Sequence, residues 1–313
     1  MPSTRERARA LMSKQGLVVT ELARILFMAV PGGRLAPVQE YAAQLSVGTG
    51  TVQAALEYLQ EQGAVRLEAR GRLGSYAAEL SYPLLWSLAF QRPIIGAMPL
   101  PYSRRFEGLA TGLRQQFVGE PLDLDLRFMR GAAQRMQALA SQTCDWALIS
   151  RWAAETAEAH GFAVQTVMVL GPHSYMGGHS LLLPSGVCEL QAGMRIGVDM
   201  QSMDHVYLVR AISRGKQVDL QPIDYSQGLD HLRTGAIDAT VWSAEDIPAD
   251  LTSLTVVPLD PQAEPALAPL GEAVIVVNKD NQAMQHVLGA VLERTELLHI
   301  QHDVLERNRL PNY

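Results

Sequence analysis

Lysine is almost absent from this 313-residue chain: Lys14, Lys216 and Lys279 are the whole complement. None lies in a context suited to a Schiff-base cofactor, which argues against a fused pyridoxal-phosphate domain. Cysteine is scarcer still. Cys144 and Cys188 stand far apart, outside any CxxC spacing, so neither a disulfide framework nor a zinc site is expected, and each reads as a small core residue. No GxGxxG or phosphate loop follows a strand pattern, and GxSxG does not occur, which removes the common nucleotide-binding and hydrolase signatures. His299 and His302, three apart, and His173 and His179, flanking a Gly-Gly loop, lack a third-ligand motif, so no metal, cofactor or catalytic group is expected. Long apolar runs are missing too. The start, MPSTRERARALMSKQG, is basic and polar with no apolar core or cleavage site, so a cytoplasmic protein with no membrane partner is the expectation.

What is present is an ordinary apolar content of 48%, enough over this length for substantial cores and two or three domains. The net charge of −6 is unevenly spread. Residues 1–80 carry nine Arg and Lys against seven Asp and Glu, hence +2, which leaves seventeen against twenty-five, hence −8, for the remainder. A mildly positive amino-terminal part fits contact with DNA, and an acidic remainder would be held off the duplex.

The most informative stretch runs from Arg34 to Tyr76. Val38, Tyr41, Ala42 and Leu45 fall at helical spacing, Ser46-Val47-Gly48 break the pattern, and Gly48 suits the positive φ of a tight turn. A second helix follows, with Thr49 or Thr51 as its cap, Val52, Ala55, Leu56 and Leu59 as its buried stripe, and Gly63 as its stop. Ala64 to Leu67 and Tyr76 to Leu80 alternate like strands around a tip rich in Gly and Arg. Two helices, a turn and a hairpin in this order make a winged helix-turn-helix. In that geometry Thr49, Thr51 and Gln53 meet base edges or phosphates, Arg70 and Arg72 at the wing tip touch phosphate or reach into the minor groove, and Arg34 is a further DNA-binding candidate. Upstream, Thr20 to Val30 supplies a third helix with a Thr cap and Pro31-Gly32-Gly33 as its stop, and residues 1–16 read as an extra helix or an arm.

After a linker helix, LLWSLAF, strands alternate with helices as in an α/β domain. Strands are expected at Ile94–Met98, Leu124–Met129, Trp146–Ile149, Val164–Leu170, Ser180–Leu183, Arg195–Val198, Val218–Ile223, Ala239–Trp242, Thr255–Pro258 and Ala273–Val277. The helices between them are Arg104–Phe117, Ala132–Ser141, Asp204–Arg214, Gln227–Arg233 and one long closing helix, Gln282–Glu306. Two halves share the order strand, helix, strand, helix, strand. In each, a Cys-Asp or Ile-Asp pair opens a buried strand that finishes in Ser150 or Ser243.

Three resemblances rest on these residues. Glu40-Tyr41-Ala42, the Thr51-Val52, Ala55-Leu56 and Leu59 core, and Gly63 resemble the GntR-type winged helix. Three positions where that pattern usually has arginine depart from it, at Gln39, within Gly48-Thr49-Gly50, and at Gln53, which lowers the expected DNA affinity. The repeated halves and the returning segment GEAVIVVNKD resemble the two-lobed fold of type-2 periplasmic binding proteins. The wing GRLGSY, the linker PLLWSLAF and the loop GAMPLPYSRRFEGLATGL resemble the YhfZ family, which joins a GntR-like helix-turn-helix to a binding-protein-like domain. The implied architecture is α/β multidomain. Residues 1–80 would form the winged helix-turn-helix and 81–313 a two-lobed ligand-binding domain, with lobe one at about 92–176 and 271–313 and lobe two at about 177–270.

Ligands of open α/β sheets sit at the carboxyl ends of strands and the amino ends of the following helices. That rule picks Tyr102, Ser103, Arg104, Ser150, Arg151, His173 and Ser174 from the first lobe, and Asp199, Gln201, Ser202, Tyr225, Trp242 and Ser243 from the second. A small carboxylate or phosphate is expected against Ser103, Ser150 and Arg104 or Arg151. The expectation for the whole chain is a non-enzymatic, homodimeric regulator that binds double-stranded DNA and a small-molecule effector. The alternative is a metabolite-binding protein or enzyme that keeps the winged domain for assembly.

Overall fold

A computed structural model describes residues 13–249, 251, 253–259 and 265–313. The extra helix or arm expected at residues 1–16 lies, up to residue 12, outside the described residues. The chain divides into two compact units, one built from residues 1–94, 116–125 and 281–292, the other from 95–115, 126–280 and 293–313.

In the first unit, α1 spans Lys14–Phe27. It starts before the Thr20 cap expected from sequence, because Ser13 caps it by accepting the Gly16 N–H at 3.1 Å. Thr20 is buried inside the helix, where Val18, Val19, Leu22, Ala23 and Leu26 continue one apolar face. The pair α2 (Val38–Leu45) and α3 (Thr49–Glu61) forms as expected, with the turn chemistry reversed. Ser46, not Gly48, takes the left-handed conformation, at φ 55°. Gly48 sits at φ −72° and ψ 150° as the residue before α3, so neither Thr49 nor Thr51 is its cap. Both hydroxyls lie inside the first helical turn, past the position from which a side chain can reach back to the free amides. Gly63 closes α3 at φ 71°, as expected.

The wing pairs β1 (Val65–Ala69) with β2 (Ser75–Leu80) in antiparallel register, from Val65 opposite Leu80 to Ala69 opposite Ser75. A single 3-10 turn, Gly71–Leu73, makes its tip. The linker helix α4 (Tyr82–Phe90) packs on α1 through aromatic edges, with the Phe27 ring 5.3 to 6.0 Å from those of Tyr82, Trp86 and Phe90. The unit also takes in α10 (Gln282–Val291), where His286 stacks on Tyr82 at 4.5 Å. The single closing helix expected from sequence is thus two. Leu292 turns extended, and Glu293 caps the next helix, α11 (Arg294–Leu305), by accepting the Thr295 and Glu296 N–H groups.

The second unit holds two five-stranded sheets. Its first sheet contains β3 (Ile94–Met98), β4 (Leu124–Phe128), β5 (Trp146–Ser150), β6 (Val164–Gly171) and β12 (Ala273–Asn278), in the order β4-β3-β5-β12-β6. The other contains β7 (His179–Pro184), β8 (Arg195–Val198), β9 (Asp219–Pro222), β10 (Ala239–Ser243) and β11 (Leu254–Leu259), in the order β11-β7-β10-β8-β9. The chain leaves the first sheet after β6, builds the second, and returns as β12, antiparallel to both β5 and β6. The connecting helices are α5 (Arg104–Gln116), α6 (Ala132–Ala140), α7 (Arg151–Ala159), α8 (Met203–Ile212) and α9 (Gly228–Arg233). Sequence patterning missed α7, because its buried face is only Ala153, Ala154 and Ala157, too weak an apolar stripe to stand out.

The internal repeat has a shared structural device. Asp145 accepts the Ile95 N–H at 2.8 Å and returns its own N–H to the Ile95 carbonyl; Asp238 does both with Arg195. The Asp of each Cys-Asp or Ile-Asp pair therefore locks the start of a half's third strand to the start of its first. Those third strands, β5 and β10, are buried along their whole length. Gly96 lets β3 lie against Trp146, whose ring would be 2.1 Å from any Cβ placed there.

Candidate functional site

On the helix-turn-helix, Thr49, Gly50 and Gln53 are exposed on the first turn of α3 and Thr51 is half-buried. The wing carries less free charge than its composition suggests. Arg66 pairs with Glu79 at 2.6 Å, and Arg70 pairs with Glu68 at 3.0 Å while lying over the Tyr76 ring at 4.4 Å. Arg34 bridges to Tyr76 through its backbone beside Gly74. Arg72, exposed at the tip, has no side-chain partner among the described residues, which leaves it the most available cation of the wing.

In the second unit, the ends of both sheets' strands converge on two adjoining cavities. Tyr102, Tyr175, Asp199, Ser202, Asp204 and Tyr225 line both. One is mainly apolar and aromatic, with Phe106, Met176, Leu208, Val241 and Leu270 in its walls. The other is charged, with Arg130, Gly131, Ala132 and Arg135. Tyr225 is held face to face against Trp242 at 4.3 Å, and its hydroxyl accepts the Ser243 N–H at 2.9 Å. Tyr102 leans on Tyr225 at 5.7 Å.

Charge in the cavity is paired unequally. Arg130 bonds Asp199 at 2.9 Å and Asp224 at 2.8 Å, so it is doubly neutralised. Asp199, buried, also receives the Gln201 N–H, and its own N–H donates to Nδ1 of His205. His205 donates from Nε2 to the Val241 carbonyl at 3.0 Å, which makes it the neutral Nε2–H tautomer, and burial lowers its pKa. Burial likewise holds His179 down to about 4. Asp204 receives a hydrogen bond from the Ser150 hydroxyl at 2.8 Å, yet burial pushes its carboxyl up to about 6.

Of the residues picked from sequence, Tyr102, Asp199, Ser202 and Tyr225 meet in this cavity. The cradle expected from Ser103, Ser150 and Arg104 or Arg151 is not assembled, because the protein already engages each side chain. Ser103 accepts the Phe106 N–H, Ser150 both donates to Asp204 and caps α7, Arg104 donates to the Val304 carbonyl, and Arg151 pairs with Glu155 and Glu272. Ser174 bridges the Gly171 carbonyl and the Ala273 N–H. His173 gives its carbonyl to Arg105, which also pairs with Glu245, and Gln201 offers its backbone N–H to Asp199. Trp242 and Ser243 stand behind Tyr225 as supports. Sequence reasoning missed Arg130, Arg135, Asp204 and His205. The strand-end rule applied to β4 would have reached Arg130; Arg135 reads from sequence as an ordinary solvated helix residue, and Asp204 as a first-turn acid. Among the described residues, no group of three or more His, Cys, Asp or Glu is placed to hold a metal, and no helix is long and apolar enough to cross a membrane.

Comparison with known proteins agrees with this layout. Residues 31–77 match a family described as helix-turn-helix domain, and residues 81–313 match the family described as YhfZ C-terminal domain. The chain is 35% identical over 308 residues to YhfZ of Escherichia coli (strain K12), covering 97% of this chain and 99% of that protein. The crystal structure of YhfZ from Shigella flexneri superposes with a TM-score of 0.61 at 30% identity, over 74% of this chain and 98% of the other. The periplasmic aliphatic sulphonate binding protein SsuA of Escherichia coli matches with a TM-score of 0.52 at 13% identity, over 69% of this chain and 75% of its own, which shows a shared binding-protein-like fold. With its C-terminal family matched across residues 81–313 and a relative aligned over nearly its full length, this chain belongs to the YhfZ family.

Proposed function

We propose that the protein is a cytoplasmic, homodimeric, ligand-responsive transcriptional regulator, with a GntR-like winged head at residues 1–80 and a two-lobed effector domain at 81–313. In this reading the lobes are residues of about 92–176 with 271–313, and about 177–270. The observation that supports it is the presence, in one chain, of a helix-turn-helix with an exposed polar first turn and a separate fold with a charged cavity between two sheets. Thr49, Thr51 and Gln53 would face base edges; Arg34, Arg70 and Arg72 would face phosphates or the minor groove. The effector would sit against Tyr102, Asp199, Ser202 and Tyr225. It regulates only to the extent that it binds one arrangement of the two lobes more tightly than the other. Two heads of a dimer would read half-sites about one helical turn apart.

Selection of bound fragments from random duplex DNA, followed by fluorescence anisotropy across a salt series, tests this. A preferred sequence should emerge, bound with a shallow salt slope of about −2 to −3 in log K against log salt for each head, since few arginines are free. Arg72→Ala should weaken binding to all sequences and flatten the slope by about one, whereas Arg70→Ala, already neutralised by Glu68, should change it less. Absence of any preferred sequence would sink the regulator reading.

A further inference from the structure

The charged cavity contains two ionic side chains, Arg135 and Asp204, that feel each other's charge but form no salt bridge among the described residues. Arg135 is 2% exposed; it donates to the Met129 carbonyl at 2.7 Å and to the Tyr175 hydroxyl at 3.0 Å, and its Nε has no partner. Among the described residues no carboxylate bonds it. Beside it, α6 begins at Ala132 with Gly131 before it, so no side chain caps its free amides. None can be added there, since Gly131 is at φ 73° and a Cβ would fall 2.3 Å from the Gln201 carbonyl oxygen. Gly131, Ala132 and Arg135 line one cavity, a combination suited as a receptor for an anionic group. Arg130 is not part of that receptor, being neutralised by Asp199 and Asp224.

Asp204 lines the same cavity, and among the described residues its side chain is hydrogen-bonded only by the Ser150 hydroxyl. The groups that face it are Ser150 from β5, Arg135 from α6, and Tyr102 and Tyr175 from the loops. A purely anionic ligand would satisfy Arg135 and bring a second negative charge to Asp204, so above pH 6 its binding would require a proton. A pure amine would satisfy Asp204 and leave Arg135 unpaired. Only a ligand carrying both charges pairs each group without a change of protonation. We propose that this cavity takes a small zwitterion, with its anionic group at Arg135 and the amino end of α6, its ammonium group at Asp204, and its body against Tyr102, Tyr175 and Tyr225. This rests on reading the cavity as the effector site, and it adds the chemical class of the effector.

The test is a thermal-shift screen of the full chain with the common L-amino acids, β-alanine, γ-aminobutyrate and glycine betaine. Each is tried beside the matching acid without the amino group and the matching amine without the carboxylate, and hits are titrated by calorimetry. At least one zwitterion should raise the unfolding midpoint where its matched acid and amine do not, and its affinity should stay level from pH 6.5 to 8. An anion that needs a proton on Asp204 would instead lose about tenfold per pH unit. Arg135→Gln and Asp204→Asn should each weaken the zwitterion at least tenfold, and Asp204→Asn should narrow its advantage over the matched acid. If a variant does not fold, the pH series on the unaltered protein decides. Equal binding of the matched acid, binding of the amine alone, a tenfold-per-unit pH loss, or no response to any zwitterion overturns the proposal. Failure here leaves the DNA-binding reading standing, because that is judged on duplex DNA without any ligand.

Discussion

Asp204 shows how one side chain's environment becomes a measurable pH dependence. Its folded carboxyl titrates near 6, above the ordinary range of an unfolded aspartate, so the folded state holds the proton more tightly. Its contribution to stability is therefore fullest at acid pH and is lost as pH rises through about 4 to 6. The neutral buried histidines run the other way. His179, held near 4, costs stability as pH falls below the usual imidazole range, so the two trends oppose each other between about pH 4 and 6. Asp204→Asn keeps the shape and can still accept from Ser150. It should raise unfolding free energy by roughly 2 to 3 kcal/mol at pH 7.5 and by much less at pH 4.5, read by urea denaturation at both values. A gain that is the same at both pH values would show that Asp204 is not titrating as described. None of this was visible in the sequence, where Asp204 is one of many acids near a helix start.

At the scale of elements, the helix-turn-helix shows both what patterning reveals and where it stops. The buried stripes of α2 and α3 were legible from Tyr41, Ala42, Val52, Ala55, Leu56 and Leu59, because a 3.6-residue period survives in any context that buries one face. The turn was not. Glycine can take left-handed φ cheaply but is not obliged to, and here the relative placement of α2 and α3 puts that conformation on Ser46. Ser46→Gly should therefore stabilise the protein by about 0.5 to 1 kcal/mol, seen as a raised unfolding midpoint with DNA binding retained. A lower midpoint would mean that the Ser46 side chain contributes something its conformation does not reveal. The closing helix teaches a similar lesson. Nothing in the period marks the break between α10 and α11, because Glu293 is an ordinary helix former until the fold turns Leu292 extended and makes Glu293 a cap.

At the scale of the whole molecule, the second unit brings together groups from distant parts of the chain. Arg130 follows β4, Asp199 follows β8 and Asp224 follows β9, yet they form one ion-pair cluster across the two sheets. Arg105 with Glu245 and Ser150 with Asp204 make further ties between the same two parts. Removing Arg130 would leave Asp199 buried without its cation. Arg130→Ala should lower stability by about 2 to 4 kcal/mol, and adding Asp199→Asn should recover part of that loss, since the uncompensated charge is then gone. Purely additive losses in that double-mutant comparison would rule out the cluster as an energetic unit. The repeated halves were legible because each carries the same strand and helix order, and the Asp that opens each third strand proved to lock it to the first.

The sequence by itself determined the periodic features: the amphipathic helices, the alternating wing, the duplicated α/β order and the residue types at strand ends, all of which depend on neighbours within a few positions. It also carried the family motifs. Only the tertiary structure decided which polar groups are paired and which are left over. Ser150 and Arg151, well placed at a strand end, are engaged by Asp204 and Glu272, whereas Arg135, on a helix interior, is left facing a cavity with an orphaned nitrogen. Pairing is a property of three-dimensional neighbours far apart in the chain. The free energy of a buried charge depends on whether such a neighbour arrives, and no local pattern records that.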